Sequence, residues 1–379
     1  MPYHVKNPNL IYWEITESCN HNCIHCSNYW RNSDDFKVSV PTSASAHILM
    51  EVAHKIAEIK PSKVIITGGE PLIVFSILCP AIDFLLAQKI QVNINTNCSM
   101  LTEEIAKYLS EKQIHLFVSF PSYVPAEFDK IADCTGAFER VTNGLKIAKM
   151  YTLKFTTNTV VSKNNVASLW GTIQYLKDTY GLKFFSVTYA SKPINASDEF
   201  SKIMLDEEER HLYLSECVRI CRELDVKIRA ASHMALCSFK DYHVFKHFAL
   251  KSGCSAGKTA ITVTGIGDIR ACTRDDKIYG NVLKESIDEI LPRMSEWRDK
   301  RLIPPECRFC PVKSVCKGGC PVDNKITPRQ GHLINIHSMP ERKWKIYIWM
   351  YSLIIRNEFL IIIKGPAFFF NYVRKKLKK

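Results

Sequence analysis

The strongest constraint on the fold is an alternation between two hydrophobic periods through the first half of the chain. Runs rich in β-branched and aromatic residues at Ile11–Thr16, Lys63–Thr67, Gln91–Thr96, His115–Phe120, Lys154–Val161 and Lys183–Tyr189 read as strands. Between them, apolar residues recur at helical spacing over Ala44–Ile59, Ile77–Gln88, Thr102–Lys112, Phe138–Met150 and Val166–Tyr180. A strand reaches a parallel neighbour only through a crossover, and that crossover is right-handed. Six such units predict an α/β fold, a partial (β/α)6 TIM-like barrel over residues 9–196, with functional groups at the carboxyl ends of its strands.

The pattern then changes. Asp206 and Glu207 to Glu209 open a helix whose acidic first turn suits its dipole, inside a helical connector spanning 197–252. Residues 253–340 are rich in cysteine, glycine and proline, as expected of a small loop-built metal domain. The last segment, 341–379, is a basic, aromatic, amphipathic helical tail carrying +8 of the chain's +13 net charge. Arg356 and Glu358 interrupt its apolar run, so it does not read as a convincing transmembrane span. Packing against the body of the protein is the plainer expectation, and peripheral contact with an anionic membrane is the alternative. No nucleic-acid partner is expected.

Fifteen cysteines are too many for an ordinary core. The start, MPYHVKNPNLIYWEIT, lacks the charged, apolar and small-residue order of a secretory signal. A reducing cytoplasm is therefore the expected compartment, and there grouped cysteines point to metal rather than disulfides. Cys19, Cys23 and Cys26 follow directly on the first strand. Three thiolates on one short loop can ligate three irons of a cubane cluster and leave the fourth open, but CxxxCxxC alone also fits zinc. Gly68-Gly69-Glu70-Pro71 ends the second strand, where two glycines let a ligand approach the backbone. By itself that motif is a simple strand-to-helix turn.

Together, on the first two strands of a βα series, the two motifs resemble the radical S-adenosylmethionine (SAM) superfamily. The resemblance implies that Cys19, Cys23 and Cys26 hold a [4Fe–4S] cluster, with His25 at the aromatic position of CxxxCx(aromatic)C. It implies that Gly68, Gly69 and Glu70 contact the amino group of SAM, which chelates the open iron and is cleaved to a 5′-deoxyadenosyl radical. Asn97 lies in a Thr-Asn-Gly-like strand end where Cys98 replaces the glycine, and Ser119 ends the fourth strand where relatives have Ser-x-Asp-Gly. Asn158, on the fifth strand, falls where relatives place a polar group facing SAM; the plainer reading is a satisfied polar side chain.

The later cysteines, Cys254, Cys272, Cys307, Cys310, Cys316 and Cys320, resemble the SPASM domain, which carries two auxiliary [4Fe–4S] clusters. The fold thus read is a partial barrel, then a small Cys-rich iron–sulfur domain, then the basic tail. By family pattern Cys254, Cys272 and Cys320 share the first auxiliary cluster, and Cys307, Cys310 and Cys316 the second. Eight thiolates would be needed and six are present. Cys237 and His337 are the nearest further ligands, with Asp323 and His332 as rivals, and an open coordination site is a third option. Cys217 and Cys221, one helical turn apart, read as core.

The function this implies is post-translational modification of a ribosomally synthesised precursor peptide or protein substrate, with an electron donor such as flavodoxin or ferredoxin. Sulfatase maturation is an alternative; it needs a proton acceptor just after the second auxiliary cysteine, and Asp275 is the catalytic candidate there. A small-molecule radical SAM dehydrogenase and a non-enzymatic iron–sulfur scaffold complete the alternatives.

Overall fold

Alternation along the strands separates an outer apolar face from an inner polar one. Ile11 and Trp13 on β1 (Leu10–Glu14), Val64 and Ile66 on β2 (Lys63–Thr67), Val92 and Ile94 on β3 (Gln91–Thr96), and Leu116 and Val118 on β4 (His115–Ser119) are each at most 2% exposed. These side chains join the core with the buried faces of α1 (Ala46–Ile59), α2 (Phe75–Ala87), α3 (Glu103–Glu111), α4 (Pro125–Ala132), α5 (Ala137–Met150) and α6 (Leu169–Tyr180). The intervening residues Tyr12, Asn95, Phe117 and Ser119 line a cavity on the inner face. In this computed structural model the described residues are 7–28, 30, 44–194, 196–230, 234–235, 244, 247–248, 254–298, 302–305, 307 and 318–326. The expectations for Cys237, Cys310, Cys316, His332, His337 and the tail 341–379 lie outside them.

Strands β5 (Phe155–Val161), β6 (Phe184–Tyr189) and β7 (Lys227–Ala230) continue the parallel sheet from β4. On the other side of β1, β8 (Ala260–Thr264) pairs in parallel, and β9 (Asp268–Arg270) and β10 (Ile278–Asn281) extend it antiparallel. The order is β10-β9-β8-β1-β2-β3-β4-β5-β6-β7.

The partial barrel stands as expected, but it is larger than six units. The seventh parallel strand comes from the 197–252 segment and the eighth from the cysteine-rich region, so one sheet runs across the boundary expected at 253. Both strands are short. β7 alternates Lys227 and Arg229 with buried Ile228, and β8 is buried at four successive residues, so neither shows a long period-two pattern. Helix α8 (Glu207–Glu223) follows the short α7 (Glu199–Ile203) and begins as expected, with a capping box between Asp206 and Glu209. Among the described residues no helix is long and apolar enough to cross a membrane.

A buried ion pair joins the first strand to the cysteine-rich region. Arg270, at the end of β9, is fully buried and pairs with Glu14 at the end of β1, which is 6% exposed. Its Nη1 donates to the carbonyls of Cys272, Thr273 and Asp275, at 3.4, 3.1 and 2.7 Å. The same guanidinium therefore shapes the turn that carries Cys272. Removing one partner of a buried pair leaves an uncompensated charge, so Arg270→Gln is expected to destabilise the protein by roughly 3–5 kcal/mol. Denaturant unfolding checks this, and Glu14→Gln/Arg270→Met should cost less than Arg270→Gln alone.

Candidate functional site

The loop bearing Cys19, Cys23 and Cys26 leaves β1 and is held by backbone groups of its neighbours. Gly69 N–H donates to Thr16 O at 2.7 Å and Glu70 N–H to Ser18 O at 2.8 Å. A methyl group at Gly68 would lie 2.3 Å from Thr16 O, and one at Gly69 2.0 Å from Ser18 O. Gly68 also has φ +132°, a conformation reserved for glycine. The glycines are thus required first by the close approach of the cysteine loop, a reason the motif alone did not reveal. On its far side the loop docks on the end of α4, with Asn22 N–H to Ala132 O at 2.9 Å and Ile24 N–H to Ile131 O at 3.0 Å. The Asn22 amide donates to Asp133 at 2.6 Å.

Glu70 is 1% exposed and sits in the wall of the cavity described below. Its carboxylate accepts from the Thr96 hydroxyl and Asn97 N–H, both at 2.6 Å, and from Leu72 N–H at 3.0 Å. Burial raises this carboxyl to about 7, against those hydrogen bonds. Glu70 therefore ties the end of β2 to the end of β3. Asn97 is equally committed: its amide donates to Asn20 at 2.9 Å, and its oxygen accepts from Ser99 N–H and Oγ at 2.9 and 2.7 Å. Asn20 in turn donates to Ser99 at 2.8 Å, and Asn28 to Gly68 O at 2.9 Å. Sequence reasoning missed Asn20, Asn22 and Asn28; the asparagine density around the cysteines was the available signal. Cys98, standing where a glycine was expected, does take the glycine-like conformation, with φ 66°.

One cavity of 470 Å³ gathers most of the candidate residues. Its wall includes Cys19, Cys23, Cys26 and His25, with Gly68, Gly69 and Glu70, Asn97, Ser119 and Asn158. The same wall includes Cys254, Cys272 and Cys320. Cys307 is described but does not line the cavity, and Asp275, the catalytic candidate, is fully buried away from it. Tyr12, Phe117, Tyr189, Arg274 and Asp323 complete the wall where the two cysteine groups meet.

The donors fit the implied groups. Among the described residues no three His, Cys, Asp or Glu side chains come together as a site for a single metal ion. Thiols spread along a wall suit a multi-iron cluster, whose ligands attach to different irons, better than one zinc ion. Asn158 Oδ1 is buried with no partner among the described residues, although its amide reaches Thr188 at 3.4 Å. His25 Nδ1 is buried in the same state, and burial lowers that imidazole to about 4, leaving it neutral at pH 7. Both are polar groups at the place expected for SAM.

Comparison with known proteins agrees with this geometry. Residues 13–176 match the family model of the radical SAM superfamily, and residues 254–311 that of the SPASM iron–sulfur cluster-binding domain. The chain is 27% identical to an AdoMet-dependent heme synthase of Methanosarcina barkeri, covering 82% of this chain and 90% of that protein. It is 23% identical to the mycofactocin maturase MftC of Mycolicibacterium smegmatis, over 83% of this chain and 78% of the relative. The fold is shared with Streptococcus suis SuiB bound to its precursor peptide SuiA, at TM-score 0.66 and 16% identity, covering 85% of this chain and 74% of SuiB.

Gly69→Ala is expected to force the cysteine loop off the β2 end, costing about 1–3 kcal/mol and lowering the iron bound by that loop. Thermal unfolding with iron analysis checks both. Glu70→Gln sets an amide N–H against backbone donors and should cost roughly 1–3 kcal/mol at pH 5. The raised Glu70 carboxyl, ordinarily near 4.5, contributes stability that is full below that pH and lost as pH rises through about 7. Glutamine lacks this titration, so the stability gap between wild type and variant should narrow across that window; a widening gap would contradict the assignment.

Proposed function

This chain belongs to the radical SAM superfamily and carries a SPASM domain, and from that premise we propose that it modifies a ribosomally synthesised precursor peptide. The observation that carries the proposal is the single cavity shared by the Cys19/Cys23/Cys26 loop and by Cys254, Cys272 and Cys320. A substrate segment held there would touch the radical source and an auxiliary cluster together. A relative named as a maturase, and a protein of the same fold bound to its precursor peptide, support a peptide as that substrate.

When bound, the cluster and SAM supply a 5′-deoxyadenosyl radical that takes a hydrogen atom from the substrate. The chain's own residues do the positioning. Cys19, Cys23 and Cys26 hold the cluster, and the glycine pair keeps their loop against the β2 strand end. Glu70 and Asn97 tie the strand ends beneath that loop together, and with His25, Ser119 and Asn158 they line the cavity where SAM would bind. The polar atoms of His25 and Asn158 left without partners are the groups a bound SAM would satisfy. Tyr12, Phe117 and Tyr189 supply aromatic surface to the cavity wall. An electron donor such as flavodoxin or ferredoxin would reduce the cluster.

Sulfatase maturation loses its main support, because Asp275 is buried outside the cavity. A second reading, a small-molecule substrate, is favoured by one observation: the heme synthase relative is matched over 90% of its length.

Anaerobic reconstitution should yield about 12 irons per chain, four for each of three clusters, and a count near four would remove the auxiliary pair. Under strong reductant the holoenzyme should release 5′-deoxyadenosine, and Cys19→Ala/Cys23→Ala/Cys26→Ala should abolish that release. Incubation with peptides encoded beside the gene should give a SAM-dependent change in peptide mass. Turnover stimulated by a heme precursor and by none of the peptides would replace the peptide reading with the second one.

A further inference from the structure

Arg274 reaches the sulfurs of two of the three candidate ligands of the first auxiliary cluster. Its Nη1 donates to Cys320 Sγ at 3.3 Å, and its backbone N–H to Cys272 Sγ at 3.4 Å. Its Nη2 donates to Asp323 Oδ1 and to Lys192 O, both at 2.7 Å. The other Asp323 oxygen accepts from the Tyr189 hydroxyl at 3.3 Å. The Nε–H is buried with no partner among the described residues. The side chain is 14% exposed and lines the cavity beside Cys254, Cys272 and Cys320.

A guanidinium carries five N–H donors and no acceptor, and it is costly to bury unless anionic groups surround it. Asp323 is one such group, and both of its oxygens are already engaged. The contacts to two cysteine sulfurs and the unanswered Nε–H mark the place of another anionic group. A thiolate-ligated cluster is that kind of group, and it becomes one charge more negative on reduction. Hydrogen bonds and positive charge at its sulfurs favour the reduced state and raise its potential.

We propose that Arg274 is a positioning residue for an auxiliary cluster held by Cys254, Cys272 and Cys320, donating to its sulfur side, raising its potential and holding Asp323 off the iron. The proposal rests on the cluster assignment made for these cysteines above. A neutral replacement removes the donor and frees the Asp323 carboxylate, and both effects make reduction harder.

The test is a spectroelectrochemical titration, followed by electron paramagnetic resonance, of protein reconstituted in the Cys19→Ala/Cys23→Ala/Cys26→Ala background. Only auxiliary clusters then report. Arg274→Gln should move one auxiliary wave to more negative potential at unchanged iron content and leave the other in place. Arg274→Lys, which keeps the charge but not the fork, should move the same wave less. Asp323→Asn should move it in the positive direction, and it decides the matter if Arg274→Gln does not load iron. Waves that superimpose on the parent's in Arg274→Gln, or shift equally for both clusters, would overturn the role of Arg274 while leaving the cluster assignment intact. A parent that binds no auxiliary iron would instead overturn the assignment, and the proposal with it.

Discussion

A guanidinium with no access to water has to find its acceptors inside the protein, and Arg270 finds them at the end of β1 and in the turn that follows β9. One side of its fork pairs with Glu14, where β1 ends and the first cysteine loop begins. The other side binds three carbonyls of the turn that follows β9 and carries Cys272. Because a buried charge tolerates little displacement, the two cysteine-bearing segments are referred to one point. The parallel pairing of β8 with β1 brings that point into the barrel wall, so the later cysteines open onto the same cavity as the earlier ones.

The second constraint is steric. The first cysteine loop lies so close to the end of β2 that no side chain fits at Gly68 or Gly69. Glu70 then fastens that end to the end of β3 through two hydrogen bonds, and asparagines carry the connection on from Asn97 through Asn20 to Ser99. Most of this network binds backbone to backbone or backbone to side chain. It fixes where the cysteine loop stands before any ligand arrives, the preorganisation that a binding site needs.

Much of the barrel was legible from the sequence because its elements are long and regular in period. Strands β2 and β3 begin and end where the pattern put them, and α8 starts at its capping box. β7 and β8 were missed because four or five residues, charged on one face or buried on both, carry no readable period. Among site residues, the cysteines and glycines were legible from spacing. Arg274 and the asparagines were not, since their side chains meet partners 40 to 111 residues away in the chain.

The sequence by itself determined the chemistry: three thiols on one loop, a glycine pair at the next strand end, and a second set of cysteines for further iron. Those signals are local, set by spacing that any short segment shows. Only the tertiary structure decided that both sets share one cavity, that Glu70 ties the end of β2 to the end of β3, and that Asp275 stands apart from the site. Those outcomes follow from strand order and from the pairing of buried charges, and both bring together residues whose separation in the chain conceals the contact.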